Sequence, residues 1–91
     1  MTELKEHFIE VRVVTTSGSF PKQGLKRITI HQPIEVILHE AAKELKITDT
    51  SNWVARVGDR EVDVSKSYAD NNLSGKVVID YGPKEGGGGN A

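Results

Sequence analysis

Cysteine is absent from the 91 residues, which excludes a disulfide scaffold, a thiolate metal site and a cysteine nucleophile, and suits a reducing cytosol. An excess of one charge is also missing: 12 basic against 13 acidic residues leave a net charge of -1 with no basic run. Capture of nucleic acid or of an anionic membrane by charge is therefore not expected, and proteins are the expected partners. No apolar stretch is long enough for a membrane span, and the charged start Met1-Thr2-Glu3-Leu4-Lys5-Glu6-His7 does not have the character of a signal peptide. The expectation is a cytoplasmic monomer. Without its ragged start and its glycine-rich end the chain leaves roughly 75 residues to fold, one domain near the lower limit for a single core and too small for a large enclosed cleft.

Catalytic and metal signatures are equally scarce. His7, His31 and His39 fall at the chain start, a strand end and a helix, without ligand spacing, so no metal and no cofactor is expected. No G-x-S-x-G elbow accompanies the serines, and the protein is not expected to be an enzyme.

What is present is a regular alternation of elements. Ile9, Val11 and Val13 alternate with Glu10 and Arg12, the pattern of a half-buried strand. A breaker-rich loop, Thr16 to Gly24, is expected to form the long tip of a hairpin whose second strand runs from Leu25 to His31, with Ile28 and Ile30 on one side. Pro33 suits the first position of a helix whose apolar stripe is Ile34, Ile37, Leu38, Ala41 and Leu45, with Thr48 to Asn52 turning the chain after it. Trp53 to Val57 reads as a third strand, Gly58-Asp59 as a turn and Arg60 to Asp63 as a short return strand. Ser65 to Asn72 reads as a single helical turn pinned by Leu73, and Val77 to Tyr81 as the last strand, with Val77, Ile79 and Tyr81 on one face. This order is α+β: one helix of about 13 residues covering a mixed four- or five-stranded sheet. The expected organisation is a flexible N-terminus over 1–7, a folded domain over 8–81 and a flexible glycine-rich tail over 82–91.

Tyr81-Gly82-Pro83-Lys84-Glu85 leads into Gly86, Gly87, Gly88 and Gly89, followed by Asn90-Ala91. Successive glycines have the most backbone entropy to lose and no side chains to pack, so a partner must order them if they are used; the plain alternative is a flexible terminus or linker. From Val57 onward the sequence resembles ubiquitin: Val57 to Val62 is similar to its third-strand turn and return strand, Tyr68 to Leu73 to its short helical turn, Val77 to Ile79 to its last strand, and Gly86 to Gly89 to its glycine terminus. The earlier hairpin and helix agree in order and spacing. The resemblance implies a β-grasp, ubiquitin-like protein of the prokaryotic kind, with first and last strands parallel at the sheet centre and the tail leaving near the first hairpin tip.

It further implies a protein modifier or its precursor, whose terminal glycine, exposed by a peptidase that removes Asn90-Ala91, is adenylated by an activating enzyme and passed to a thiol and then to a target lysine. A side-chain-free strand can thread a narrow channel to the nucleotide, which a Cβ would obstruct. Two other readings stay open: a non-covalent β-grasp adaptor, and a sulfur carrier. Lys84-Glu85 stand where ubiquitin has arginine-containing residues, and Asp59 where it has a chain-forming lysine. Ala55 falls at the position of the large apolar residue of ubiquitin's recognition patch. The candidate partner surface is therefore Phe20, Arg12, Arg56 and Ala55, with Glu10 and Arg27 on the same polar sheet face. Phe20 is either an exposed anchor beside the tail or a ring folded back over the sheet edge, and Trp53 is expected to close over Ile47.

Overall fold

The computed structural model describes residues 7–84. The first strand, β1 (Phe8–Thr15), buries Ile9, Val11 and Val13 and turns the residues between them outward, as a period of two requires. Its antiparallel partner comes in two pieces. β2 (Gly18–Phe20) pairs with the far end of β1, Val13 opposite Phe20, and β3 (Lys26–Thr29) pairs with the near end, Ile9 opposite Ile28.

The long tip expected over Thr16 to Gly24 is thus corrected to a tight turn. The Thr15 hydroxyl accepts from the Ser17 N–H at 2.9 Å and donates to the Gly18 carbonyl at 2.9 Å, and Gly18 takes φ +131. Glycine suits that backbone angle, and a Cβ there would make a tight 3.2 Å approach to Leu45 Cδ2. The irregular part lies mid-strand, after Phe20. Arg12 holds it down, its guanidinium donating to Ser19 Oγ and to the Lys22 carbonyl, each at 3.0 Å.

The helix α1 (Ile34–Glu44) buries Ile34, Ile37, Leu38 and Ala41, the expected stripe but for half-buried Leu45. Pro33 is the residue before the helix rather than its first, with φ -60 and ψ 142. No side chain caps the N-terminus; the Ile34 and Glu35 N–H groups instead donate to the carbonyls of Lys66 (3.0 Å) and Val64 (2.9 Å). At the other end Lys46 adopts φ 60, and Ile47 N–H reaches Ala42 O at 2.8 Å while Lys46 N–H reaches Lys43 O at 3.3 Å. This is a Schellman stop with lysine where glycine is usual.

β4 (Trp53–Val57) and β5 (Arg60–Glu61) form the second hairpin around Gly58, at φ 63. Val62 continues it into the core. A 3-10 turn (Ala69–Asn71) follows, ended by Asn72 at φ 61. Beneath it Tyr68 and Leu73 are buried.

The last strand, β6 (Lys76–Pro83), lies parallel to β1 and antiparallel to β4, and continues past Tyr81 to Pro83 opposite Trp53. The six-stranded sheet has the order β2-β1-β6-β4-β5, with β3 also on β1. One core fills the space between this sheet and α1. Among the described residues no helix is long and apolar enough to cross a membrane.

Candidate functional site

The face of the sheet away from α1 is set by the strand period. Glu10, Arg12 and Val14 of β1 point there, with Lys76, Val78 and Asp80 of β6 and Val54 and Arg56 of β4, each alternating with a buried neighbour. Register then arranges the charges. Arg27, Glu10 and Lys76 form one row across β3, β1 and β6, and Val14, Asp80, Arg56 and Glu61 form another across β1, β6, β4 and β5. Opposite charges stand as direct cross-strand neighbours in both rows, none of them close enough for an ion pair.

Between the rows Val78 stands opposite Arg12, and at 52% exposure it is the most open of the large apolar side chains. The surface is thus an apolar centre with a polar surround, the arrangement found at protein-binding patches. A hollow of about 400 Å³ adjoins it where β6 ends, lined among others by Val14, Thr16, Val54, Arg56, Gly82 and Pro83. The last described residue, Lys84, is tied beside β4 by its N–H on the Asn52 carbonyl at 2.9 Å. The chain therefore leaves the sheet next to the tip of the first hairpin.

Of the candidate surface residues, two face this side. Arg56 does so beside Asp80 and Glu61, whereas Arg12 spends its guanidinium on Ser19 and Lys22. Ala55 is a correction: it is 1% exposed, on the core side of β4 opposite Tyr81, with the Trp53 and Tyr81 rings edge to face at 5.0 Å near it. A shift of one position along a strand reverses the side, so the outward residues of β4 are Val54 and Arg56.

Phe20 is not an outward anchor either. Its register partner Val13 is fully buried, and Phe20 packs half-buried against the core with Lys26 Nζ 5.5 Å from its ring centre. The ring is folded back. Trp53 packs edge to face against the Tyr81 ring.

Sequence reasoning missed Val78 as a surface residue. The alternation of Val77, Ile79 and Tyr81 already points Val78 to the opposite side, but it is absent from the candidate surface residues. Gly86, Gly87, Gly88 and Gly89 lie outside the described residues, as do residues 1–6.

Among the described residues His7 and His31 approach to 6.4 Å between ring centres, but no group of three or more potential metal ligands gathers. Two exposed aspartates have their pKa lowered by hydrogen bonds from neighbouring serines. Asp63 Oδ1 accepts from Ser65 Oγ at 2.6 Å and from Ser65 N–H at 3.1 Å, the hydroxyl contributing most; Asp49 is held mainly by the Ser51 N–H and next by its hydroxyl. Both are local turn contacts. The Tyr68 phenol is the reverse case: it is buried without a hydrogen-bond partner, and desolvation, with a smaller contribution from the Glu40 charge, raises its pKa.

No protein-family model matches the chain, and no curated protein matches it in sequence. Solved structures do match: a de novo designed protein based on ubiquitin superimposes with a TM-score of 0.65 at 14% identity, covering 91% of this chain and 96% of the design. A likeness at that identity carries the fold and nothing finer, and with the order of strands and the single helix it makes this chain an α+β protein of the ubiquitin-like β-grasp fold.

Proposed function

We propose that the chain is a ubiquitin-like protein modifier, or the precursor of one, acting through a C-terminal glycine exposed when Asn90-Ala91 and anything after them are removed. The observation that carries this reading is the exit of the chain. β6 lies between β1 and β4 and delivers Gly82 and Pro83 beside Thr15 and Thr16, and after Lys84 the sequence continues within two residues into Gly86 to Gly89. A rigid body that hands a side-chain-free segment to a partner from a fixed point supports threading of the glycines into a narrow channel. An activating enzyme would adenylate the glycine carboxylate and pass it to a thiol, and a target lysine would then take it. The outer sheet face around Val78 and Arg56 is the surface on which such enzymes would dock, and a prokaryotic, cytoplasmic setting belongs to the same proposal.

Mass spectrometry of the protein from its native cells tests this directly. A terminus at one of the four glycines, with glycine remnants on lysines of other proteins, is the expected result; a terminus that always retains Asn90-Ala91, with no remnant, overturns it. A non-covalent adaptor is the competing reading, favoured by the exposure of Val78. Replacing Gly86 to Gly89 by alanine separates the two, since an adaptor keeps its partners and a modifier loses transfer.

A further inference from the structure

The outward side of β6 carries an ordered pattern. Lys76, Val78 and Asp80 are exposed in turn between the buried Val77, Ile79 and Tyr81, so one central strand presents a cation, an apolar side chain and a carboxylate on the same face. Neither charge is spent on an ion pair within the chain: the one such pair among the described residues is Lys26 with Glu40, at 3.0 Å. The neighbouring strands extend the same polarity. The row through Lys76 holds two cations and one carboxylate, Arg27, Lys76 and Glu10, and the row through Asp80 holds two carboxylates and one cation, Asp80, Glu61 and Arg56. The face is thus positive at one end, negative at the other and apolar at Val78 between them.

Reversed in direction, such a pattern is its own complement. A two-fold axis lying between two copies and running across the strands at Val78 sets β6 of one face to face with β6 of the other, antiparallel. Val78 then meets Val78, and Lys76 of each copy meets Asp80 of the other. Residues two apart on a strand are about 6.6 Å apart and packed sheets stand about 10 Å from one another, a gap that a lysine side chain spans to reach a carboxylate. Arg12 lies beside the axis but does not oppose itself there, because its guanidinium is held toward the sheet edge by Ser19 Oγ and the Lys22 carbonyl, each at 3.0 Å. A second copy supplies the matching order of charges by symmetry alone.

We infer that the outer face docks a second copy of this chain, in a two-fold pair centred on Val78 and registered by Lys76 against Asp80 on both sides. Covering the two Val78 side chains removes apolar area from water, and the two ion pairs fix the direction in which the copies meet. The patch is small and its charges stay near water, so the pair is weak and exchanges with the monomer expected from the sequence. The pairing does not depend on the glycine tail or on conjugation. A second copy and a docking enzyme compete for the same face, so a concentrated pool of the chain shields itself.

Concentration-dependent 15N NMR and sedimentation equilibrium of the full chain test this. Amide shifts that saturate with concentration are expected at Lys76, Val78 and Asp80 and not on α1, and the association should weaken as salt is raised. Lys76→Asp sets Asp against Asp at both contacts and Asp80→Lys sets Lys against Lys, so each variant alone should self-associate at least about tenfold more weakly. Mixed in equal amounts the two variants complement each other, and the labelled one should regain the parent's shifts and affinity. The double variant Lys76→Asp/Asp80→Lys should self-associate as the parent does. A misfolded variant cannot produce either recovery. A parent that stays monomeric up to about 1 mM, shifts centred away from Val78, single variants that associate like the parent, or no recovery in the mixture and the double variant would each overturn the inference.

Discussion

Two residues sit in positions their chemistry does not favour, and each makes a measurable prediction. Lys46 ends α1 with φ 60, a left-handed angle that costs a residue with a Cβ about 1–2 kcal/mol. Lys46→Gly should therefore gain about 1 kcal/mol, after the entropy glycine adds to the unfolded chain, and raise Tm by roughly 4–8 °C, read by thermal unfolding. Tyr68 is fully buried with its hydroxyl unpartnered, so removing that oxygen takes away a desolvated group without breaking a bond. Tyr68→Phe should be as stable as the parent or more so in urea titration, where a tyrosine with a hydrogen-bonded hydroxyl would lose about 1 kcal/mol. The same phenol gives a pH dependence. Its folded pKa is raised above the ordinary value of 10.0, so the folded state holds the proton that the unfolded state releases, and stability present below about pH 10 falls as pH rises beyond it. Tyr68→Phe should lose less stability over that alkaline range than the parent.

Elements in this protein are terminated and joined by one another more than by their own sequences. At the start of α1 the Ile34 and Glu35 N–H groups are satisfied by the carbonyls of Lys66 and Val64, 32 and 29 positions further along the chain. Asn71 in the 3-10 turn accepts from Asp63 N–H at 3.0 Å and donates to the carbonyls of Asp63 and Ser67, each at 2.9 Å. Asn71→Ala should cost about 1–3 kcal/mol in denaturant titration because it leaves those partners unsatisfied together. Ser65→Ala removes the hydroxyl that chiefly holds the Asp63 carboxyl down; an NMR titration should show that carboxyl rising toward the ordinary aspartate range. β4 supplies the sharpest discrimination between the two possible placements of Ala55. Packed at 1% exposure opposite Tyr81, it should tolerate no enlargement, and Ala55→Leu is expected to cost about 1–3 kcal/mol by overpacking. An outward alanine at the centre of a docking patch would have accepted the same change with little loss.

At the scale of the molecule the design is a divided sheet. One side is closed by α1 over a single core, and the other carries alternating charge around Val78. The two central strands are parallel, and both belong to that divided sheet: β1 begins the fold and β6 completes it. This ties the exit of the chain to the first hairpin by main-chain hydrogen bonds, so the tail is presented from a defined place rather than from a loose end. Because Val78 stands half exposed on the outer face, Val78→Asp should leave the urea midpoint nearly unchanged. If that face is where modifying enzymes dock, the same variant should lose transfer to targets in a conjugation assay while the unfolding curve stays put.

The order of elements, the apolar stripe of α1 and the core faces of β1 and β6 are written in local periodicity, because Ile9-Val11-Val13 and Val77-Ile79-Tyr81 alternate in a way that only one sheet face can bury. The glycine run, too, is plain in the sequence. Other features depend on residues distant along the chain. Gly18-Ser19-Phe20 reads as breakers by composition, and becomes a strand because β1 offers it hydrogen bonds and Gly18 takes a positive φ that a Cβ disfavours. Ala55 is small enough to suit either side of β4, and the placement of Tyr81 and α1 assigns it to the core. The charged rows across the outer face come from strand order and register. Local pattern fixes which side chains seek burial, but the packing of distant segments decides what is left facing a partner.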